Sequence, residues 1–350
     1  MTSLEARRRV AGAYTADRTD PPRRLPLLAA VLPGVLWAGV VHAQLPPPDP
    51  ESIVTFQLEN DSILQNSDKY YTSGLRLAYT SPTDVVPQTL ADLDQAIWGD
   101  GRMRYSIDLQ QLLFTSANTQ VNPPLPGDRP YAGVLTVDAN LIHDTETARS
   151  IIGVSLGIIG PAALGEEVQN GFHNLIGDTT NKGWGYQEPT QPVVEVSAER
   201  IWRVPLTQLG PLEFDALPQV AAGIGTYRTY ALAGAEVRVG QGLQSDFGPS
   251  RPLGGMTGGD AYTNVRPVAW YLFGGGDGQA VAYDATLNGS LFQGGPRVTS
   301  VPFVGELTAG AAILAYGVRF AFVHVSQTPE FIGQPSRLFN FDGFTISAKF

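Results

Sequence analysis

The chain has 350 residues, with 23 Lys and Arg against 33 Asp and Glu, for a net charge of −10. Its 39 Gly and 27 Pro, with only 16% charged residues, argue against a helical bundle, which needs helix formers rather than breakers. Three lysines in an acidic chain leave no basic footprint for nucleic acid, and the lack of Cys excludes disulfides, thiolate metal sites and a cysteine nucleophile.

The chain begins with an address. Arg23 and Arg24 precede an apolar run, Leu25 to Val41, and Val41-His42-Ala43 reads as a small-residue cleavage site. Pro26 and Pro33 make that run poor material for a permanent membrane helix. Residues 1–43 are therefore expected to be a cleaved signal peptide, 44–50 a Pro-rich extended lead-in outside the core, and 51–350 one β domain.

Beyond the leader no apolar run is long enough for a spanning helix. Segments alternate with period two instead. Met103, Tyr105, Ile107 and Leu109 oppose Arg104, Ser106 and Asp108; Val194, Val196 and Ala198 oppose Glu195, Ser197 and Glu199. Such alternation marks strands with one apolar and one polar face. Further candidates lie near 53–59, 74–80, 135–142, 150–158, 217–226, 233–239, 267–274, 279–287, 302–316 and 318–326. Turn-rich stretches at 81–101, 115–130, 160–192, 241–266 and 327–340 separate them. The chain ends on Phe341 to Phe350, with Phe344, Ile346, Ala348 and Phe350 on one face and Thr345, Ser347 and Lys349 on the other. An outer-membrane barrel needs such a strand to close its sheet with the apolar face toward lipid. The expected fold is all-β: a transmembrane antiparallel β-barrel of about 12 strands. A secreted soluble β-sandwich is the competing reading.

Candidate chemistry is sparse. Without His42, the histidines are His143, His173 and His324. His324 shares a strand face with Phe320 and Phe322, which favours a structural role, and His143 ends a strand. His173 lies in the connection 160–192, where Pro161 suits the start of a short helix and Gly177 the residue just past its end. That helix would carry Gln169 and His173 on one face at i, i+4, in a loop on the extracellular side. A second cluster is Glu59-Asn60-Asp61, followed by Asp68 and Tyr70-Tyr71-Thr72; a hairpin brings these oxygens to one rim, and hard cations such as Ca²⁺ accept them. The same residues also read as ordinary turn chemistry. In Asp128-Arg129-Pro130-Tyr131-Ala132-Gly133, Arg129 is either a structural partner of an acid or a phosphate contact. No serine-hydrolase elbow, Walker loop, dinucleotide fingerprint or His-Glu-x-x-His occurs.

These blocks, with Gly160-Pro161 to His173, Gly183-Trp184, Asp246-Phe247-Gly248-Pro249, Glu330-Phe331 with Gln334, and the terminal Phe350, resemble the outer-membrane lipid A 3'-O-deacylase family in order along nearly the whole chain. The resemblance implies a 12-stranded barrel of the Gram-negative outer membrane with its site near the outer-leaflet rim. It implies Ca²⁺-dependent hydrolysis of the ester holding the 3'-linked acyloxyacyl chain of lipid A, with lipopolysaccharide as the partner and no partner protein. By position, His173 matches the general base, Gln169 its helix partner, and Asn60, Asp61 and Thr72 the cluster around metal and ester. Two departures stand out. Residues 115–127 lack the family's lysine, leaving Arg129 as its substitute toward substrate phosphate, and the acid expected after the histidine has Asp178 as its nearest match, a candidate metal ligand. A non-catalytic porin-like barrel and a barrel phospholipase are the alternatives.

Overall fold

The computed structural model describes residues 46–350, apart from 66, 252 and 254–258; the expected signal segment lies outside the described residues. The wall consists of β1 (Ile53–Asn60), β2 (Tyr70–Thr80), β3 (Arg102–Thr115), β4 (Ala132–Asp144), β5 (Ala148–Ile159), β6 (Gln191–Trp202), β7 (Val204–Leu209), β8 (Leu212–Gly225), β9 (Arg228–Gln241), β10 (Val268–Asp284), β11 (Phe303–Ala315), β12 (Val318–Gln327) and β13 (Phe339–Lys349). Segments β6 and β7 are one wall strand interrupted at Arg203, since both pair along β8. Every other strand pairs with its sequence neighbours and β1 pairs with β13, so the wall is a closed, antiparallel, 12-stranded barrel. Closure leaves no sheet edge, which matters because an unsatisfied backbone group in hydrocarbon costs several kcal/mol.

Side-chain alternation sets the two surfaces. Along β1, Ile53, Thr55, Gln57 and Glu59 are buried in the lumen while Val54 and Phe56 face outward. Leu77, Ile107, Leu109, Val137, Leu156, Leu272 and Phe320 continue the outer apolar band. The terminal strand behaves as its pattern predicts: Phe344 and Ile346 face out, and Ser347 accepts a hydrogen bond from Thr55 across the closing seam (2.8 Å). Among the described residues no helix is long and apolar enough to cross a membrane; the strands make the crossing.

The lumen is filled. The 242–267 connection turns inward and places Ser250, Arg251 and Asp260 among wall charges. Arg251 bridges Glu59 (3.2 Å) and Glu306 (2.8 Å), and Arg76 contacts Asp108 (2.7 Å) and Asp260. Such charges tolerate burial because each is paired. Toward the rim opposite the chain termini, Tyr71, Phe114, Phe339 and Phe341 pack together, with the Tyr71 and Phe341 rings edge-on at 5.0 Å.

Three features differ from the sequence reading. The candidates at 267–274 and 279–287 are one strand, because β9 and β11 pair with the glycine run 274–278 from both sides. The 81–101 stretch carries a helix, α1 (Gln88–Trp98), tied to the wall by Asp94 and His143 Nδ1 at 2.7 Å. The lead-in is engaged rather than free: buried Asp49 accepts from Arg104 (2.7 Å) and Lys349 (2.6 Å).

Candidate active site

The connection after β1 is organised by Asp61. Its carboxylate is fully buried, accepts from the Ser67 hydroxyl and from the Lys69 N–H (2.9 Å), and leaves Oδ1 without a partner among the described residues. Tyr70 then enters β2 with φ of 61°, a conformation uncommon for a non-glycine residue, and Thr72 is the extra residue of a bulge. The bulge separates two jobs. Tyr71 points into the lumen and donates to Glu59 (2.8 Å), while the Thr72 hydroxyl bonds that of Thr115 (2.7 Å), which contacts the Asp68 carbonyl at 3.5 Å.

Outside the wall lies a second layer. Pro161–Ala163 form a 3₁₀ turn, Leu164 is left-handed, and helix α2 spans Gly165–Ile176 before Gly177 caps it at φ of 75°. The sequence reading located this helix correctly but began it earlier, at Pro161. Close approach holds α2 to β3 and β4. A Cβ on Gly133 would lie 3.3 Å from the Gly165 backbone, and one on Gly165 would meet the Trp184 ring at 2.7 Å. Gln111 donates to the Ala163 carbonyl (2.7 Å), and Leu113, Tyr131 and Trp184 form a buried cluster beneath the helix. The opposite helix face, with Leu164, Val168, Phe172 and Leu175, is exposed.

Asp68 is where the layers meet. Gln169 donates to Asp68 Oδ1 (2.8 Å), and Asn181 donates to Oδ2 (2.7 Å). The Gln169 carbonyl oxygen accepts from the Trp184 indole (2.9 Å), which fixes the amide's orientation. Asn170 and Asn181 exchange two hydrogen bonds that hold the following loop to the helix. His173 Nδ1 lies 2.8 Å from the Thr179 carbonyl, an atom that only accepts, so Nδ1 carries the proton. That leaves Nε2 as the basic nitrogen, 3.9 Å from Asp68 Oδ2. Burial pushes the Asp68 carboxyl up against the pull of Asn181, His173 and Gln169, and Asp178 adds to the push. Burial also raises Asp61 to about 8, with the Asp68 charge contributing.

The sequence candidates divide clearly. His173, Gln169, Asp61 and Thr72 lie at this junction of helix, wall and loop. Asn60 is on the outer face, where its side chain accepts from the Ser62 N–H (2.7 Å) and closes the turn. Asp178 is exposed and caps the Thr179 N–H (2.6 Å); the acid facing His173 is Asp68. Arg129 does not reach this cluster. It is buried inside the barrel, paired with Glu330 and donating to Thr286 (3.1 Å), because the Asp128-Arg129-Pro130 turn sends its side chain inward over the Phe114 ring. Sequence reasoning missed the roles of Asp68, Asn181, Trp184 and Thr115; only Asp68 and Gly183-Trp184 stood in motifs that drew notice.

A family model for the outer membrane protein LpxR matches residues 27–350. The chain belongs to this family. Among solved structures, LpxR from Salmonella typhimurium aligns with a TM-score of 0.71 at 22% identity, covering 85% of this chain and all of that one (100%). The β-domain of the Bordetella autotransporter BrkA aligns at a TM-score of 0.41 and 11% identity, covering 86% of this chain and 98% of that one. No curated protein matches the chain by sequence. Family membership and the closed 12-stranded wall place the protein in the outer membrane, as the sequence reading expected.

Proposed function

We propose that the protein is a Ca²⁺-dependent esterase that removes the 3'-linked acyloxyacyl chain of lipid A. One observation carries the reading: His173 Nε2, 3.9 Å from Asp68, lies on the outer, lipid-facing side of the wall rather than in the lumen. A lipid's chains can stay in the membrane there while its ester reaches a base at the rim. Neutral imidazole is suited to take a proton from water near pH 7 as the water oxygen attacks the ester carbonyl. Asp68 stabilises the imidazolium that results, and Gln169 and Asn181 hold Asp68 in place. The proton then passes from Nε2 to the departing alkoxide, which leaves as an alcohol.

The donor set fits a hard cation. Among the described residues Asp61 Oδ1 and Asn181 Oδ1 are buried without partners, and the nearby Asp68 charge raises the affinity of Asp61 for a proton. Among the described residues no three His, Asp or Glu side chains form a cage, so Asp61, Asp68, Asn181 and Thr72 would supply carboxylate, amide and hydroxyl oxygens together. When bound, Ca²⁺ would stabilise the charge that develops on the ester oxygen. For a substrate phosphate, Lys182 takes the place left by Arg129. It is exposed, follows Asn181 directly, and its N–H bonds the Thr119 carbonyl (2.9 Å) in the lysine-free loop.

The porin alternative is disfavoured by the charged pairs that fill the lumen. The test is mass spectrometry of lipid A incubated with purified protein, with Ca²⁺ or with chelator. Loss of one acyloxyacyl mass is expected only for wild type with Ca²⁺ and not for His173→Ala. Unchanged lipid A with wild type and Ca²⁺ would overturn the reading, and cleavage confined to glycerophospholipids would move it to a barrel phospholipase.

A further inference from the structure

His324 takes no part in the His173 site, yet it sits in a second constellation on the outer wall. Its Nδ1 is 2.7 Å from Asp342 Oδ1, and its Nε2 is 3.5 Å from the Ser326 hydroxyl. His324 and Ser326 are two residues apart on β12, so they share the outer face, and Asp342 lies directly across the ladder from His324 on β13. Asp342 is fully buried and its other oxygen accepts from the Leu64 N–H (3.2 Å), which fixes the carboxylate. The Asp342 carboxylate accepts a hydrogen bond from the Nδ1 N–H, leaving Nε2 to accept from the serine. This is the arrangement by which acid, base and nucleophile act in acyl transfer, recognised by geometry and not by chain order.

Two further observations make it a site. Asn340 pairs across the ladder with Ser326, and its amide makes no hydrogen bond among the described residues, with Oδ1 buried. Asn340 is also the link to a neighbouring rim cavity of about 280 Å³, which Lys69 and Arg337 line and the triad side chains do not. Below the serine, the Phe322 and Phe344 rings pack at 5.0 Å within the apolar band, at the depth where acyl chains lie. The constellation adjoins the His173 site without sharing its histidine: Asp342 pairs across the ladder with Asn60, at the start of the β1–β2 connection that carries Asp61 and Asp68.

We infer that Ser326, His324 and Asp342 form a second esterase site for a long-chain acyl ester of an outer-leaflet lipid. Ser326 Oγ attacks the ester carbonyl carbon while Nε2 takes its proton. The carbonyl–alkoxide bond breaks, and the alkoxide leaves as an alcohol with that proton. Water then adds to the acyl-serine with His324 as base, releasing the fatty acid and restoring Ser326. Asn340 is placed to donate to the oxyanion, and Lys69 and Arg337 suit an anionic headgroup in the cavity. The chemistry is independent of His173 and of any metal.

The test uses the full-length protein in detergent micelles with a serine-directed fluorophosphonate. Wild type and His173→Ala should both carry an adduct on Ser326, identified by peptide mass spectrometry. Ser326→Ala should carry none, and Asp342→Asn should label about 100-fold more slowly or worse. No adduct on Ser326 in folded wild type, or equal labelling of Asp342→Asn, would overturn the inference. His173→Ala with chelator, offered phosphatidylethanolamine vesicles or lipid A vesicles, identifies the source: Ser326-dependent fatty acid from one of them supports the site, and release from neither defeats it. Because these arms use the His173→Ala protein, they stand or fall apart from the calcium-dependent reading.

Discussion

Asp68 does more for the candidate site than any residue picked out from the sequence, because three side chains from the α2 layer converge on its carboxylate. Asp68→Asn keeps the shape but turns half of the acceptor into a donor that faces Gln169 or Asn181. The expected result is a fall in kcat of about 10- to 100-fold with little change in KM, read from lipid A mass-spectrometry time courses; an unchanged kcat would remove Asp68 from the mechanism. Arg129 makes the opposite case. Arg129→Leu leaves Glu330 buried without its bonded partner and with only the Arg228 charge nearby, which costs up to about 3–5 kcal/mol. The urea midpoint should drop accordingly while the folded fraction keeps its KM for lipid A, and a raised KM at unchanged stability would return Arg129 to substrate binding.

At the scale of elements, the site depends on how closely α2 lies on the wall. Two glycines of the same helix separate docking from propensity. A Cβ on Gly165 would strike the Trp184 ring at 2.7 Å, whereas one on Gly171 would meet nothing within 4 Å. Gly165→Ala should shift the helix, unseat Gln169 and lower kcat at least 10-fold, since misplacement of about 1 Å can cost 100-fold. Gly171→Ala should retain activity and stabilise the helix by about 0.5–1 kcal/mol. Assay and thermal melting of the two variants side by side check the pair; equal activities would show that helix position does not matter. The outward row of Leu164, Val168, Phe172 and Leu175 gives the helix a lipid-facing side, so its bare stripe is consistent with a location beside the membrane.

For the whole molecule, closure and filling decide what the barrel can be. Charged pairs contributed by the 242–267 connection occupy the lumen, so purified protein should add no steady ion conductance to a planar bilayer; a reproducible open-channel current would revive the porin alternative. At the terminal rim, Asp49 joins the lead-in to β3 and to the last strand. Burial alone would raise its carboxyl, but the bonds and charges of Lys349 and Arg104 hold it below the ordinary 3.8. A lowered folded value means that this stabilisation is complete above the unfolded value and disappears as pH falls through the folded one. The difference in unfolding midpoint between wild type and Asp49→Asn should therefore shrink between about pH 5 and about pH 2. A difference that persists at the acid end would show that the latch acts through packing and not charge.

The wall was legible in local pattern, and so was the helix that carries Gln169 and His173. Period-two alternation is a local property, because neighbouring side chains on a strand must face opposite sides, and the terminal Phe344 and Ile346 declared the lipid face before any fold was known. Helical spacing likewise put Gln169 and His173 on one face. Long-range packing set Asp68 rather than Asp178 against the histidine, since the Asp68 bond to Asn181 spans 113 positions and no local rule reaches that far. Closure likewise turned Arg129 inward, drew Asp49 into the rim and brought Asp342 beside His324. Those outcomes depend on which loops meet once the last strand closes against the first, and that meeting follows from the whole barrel, not from the residues on either side.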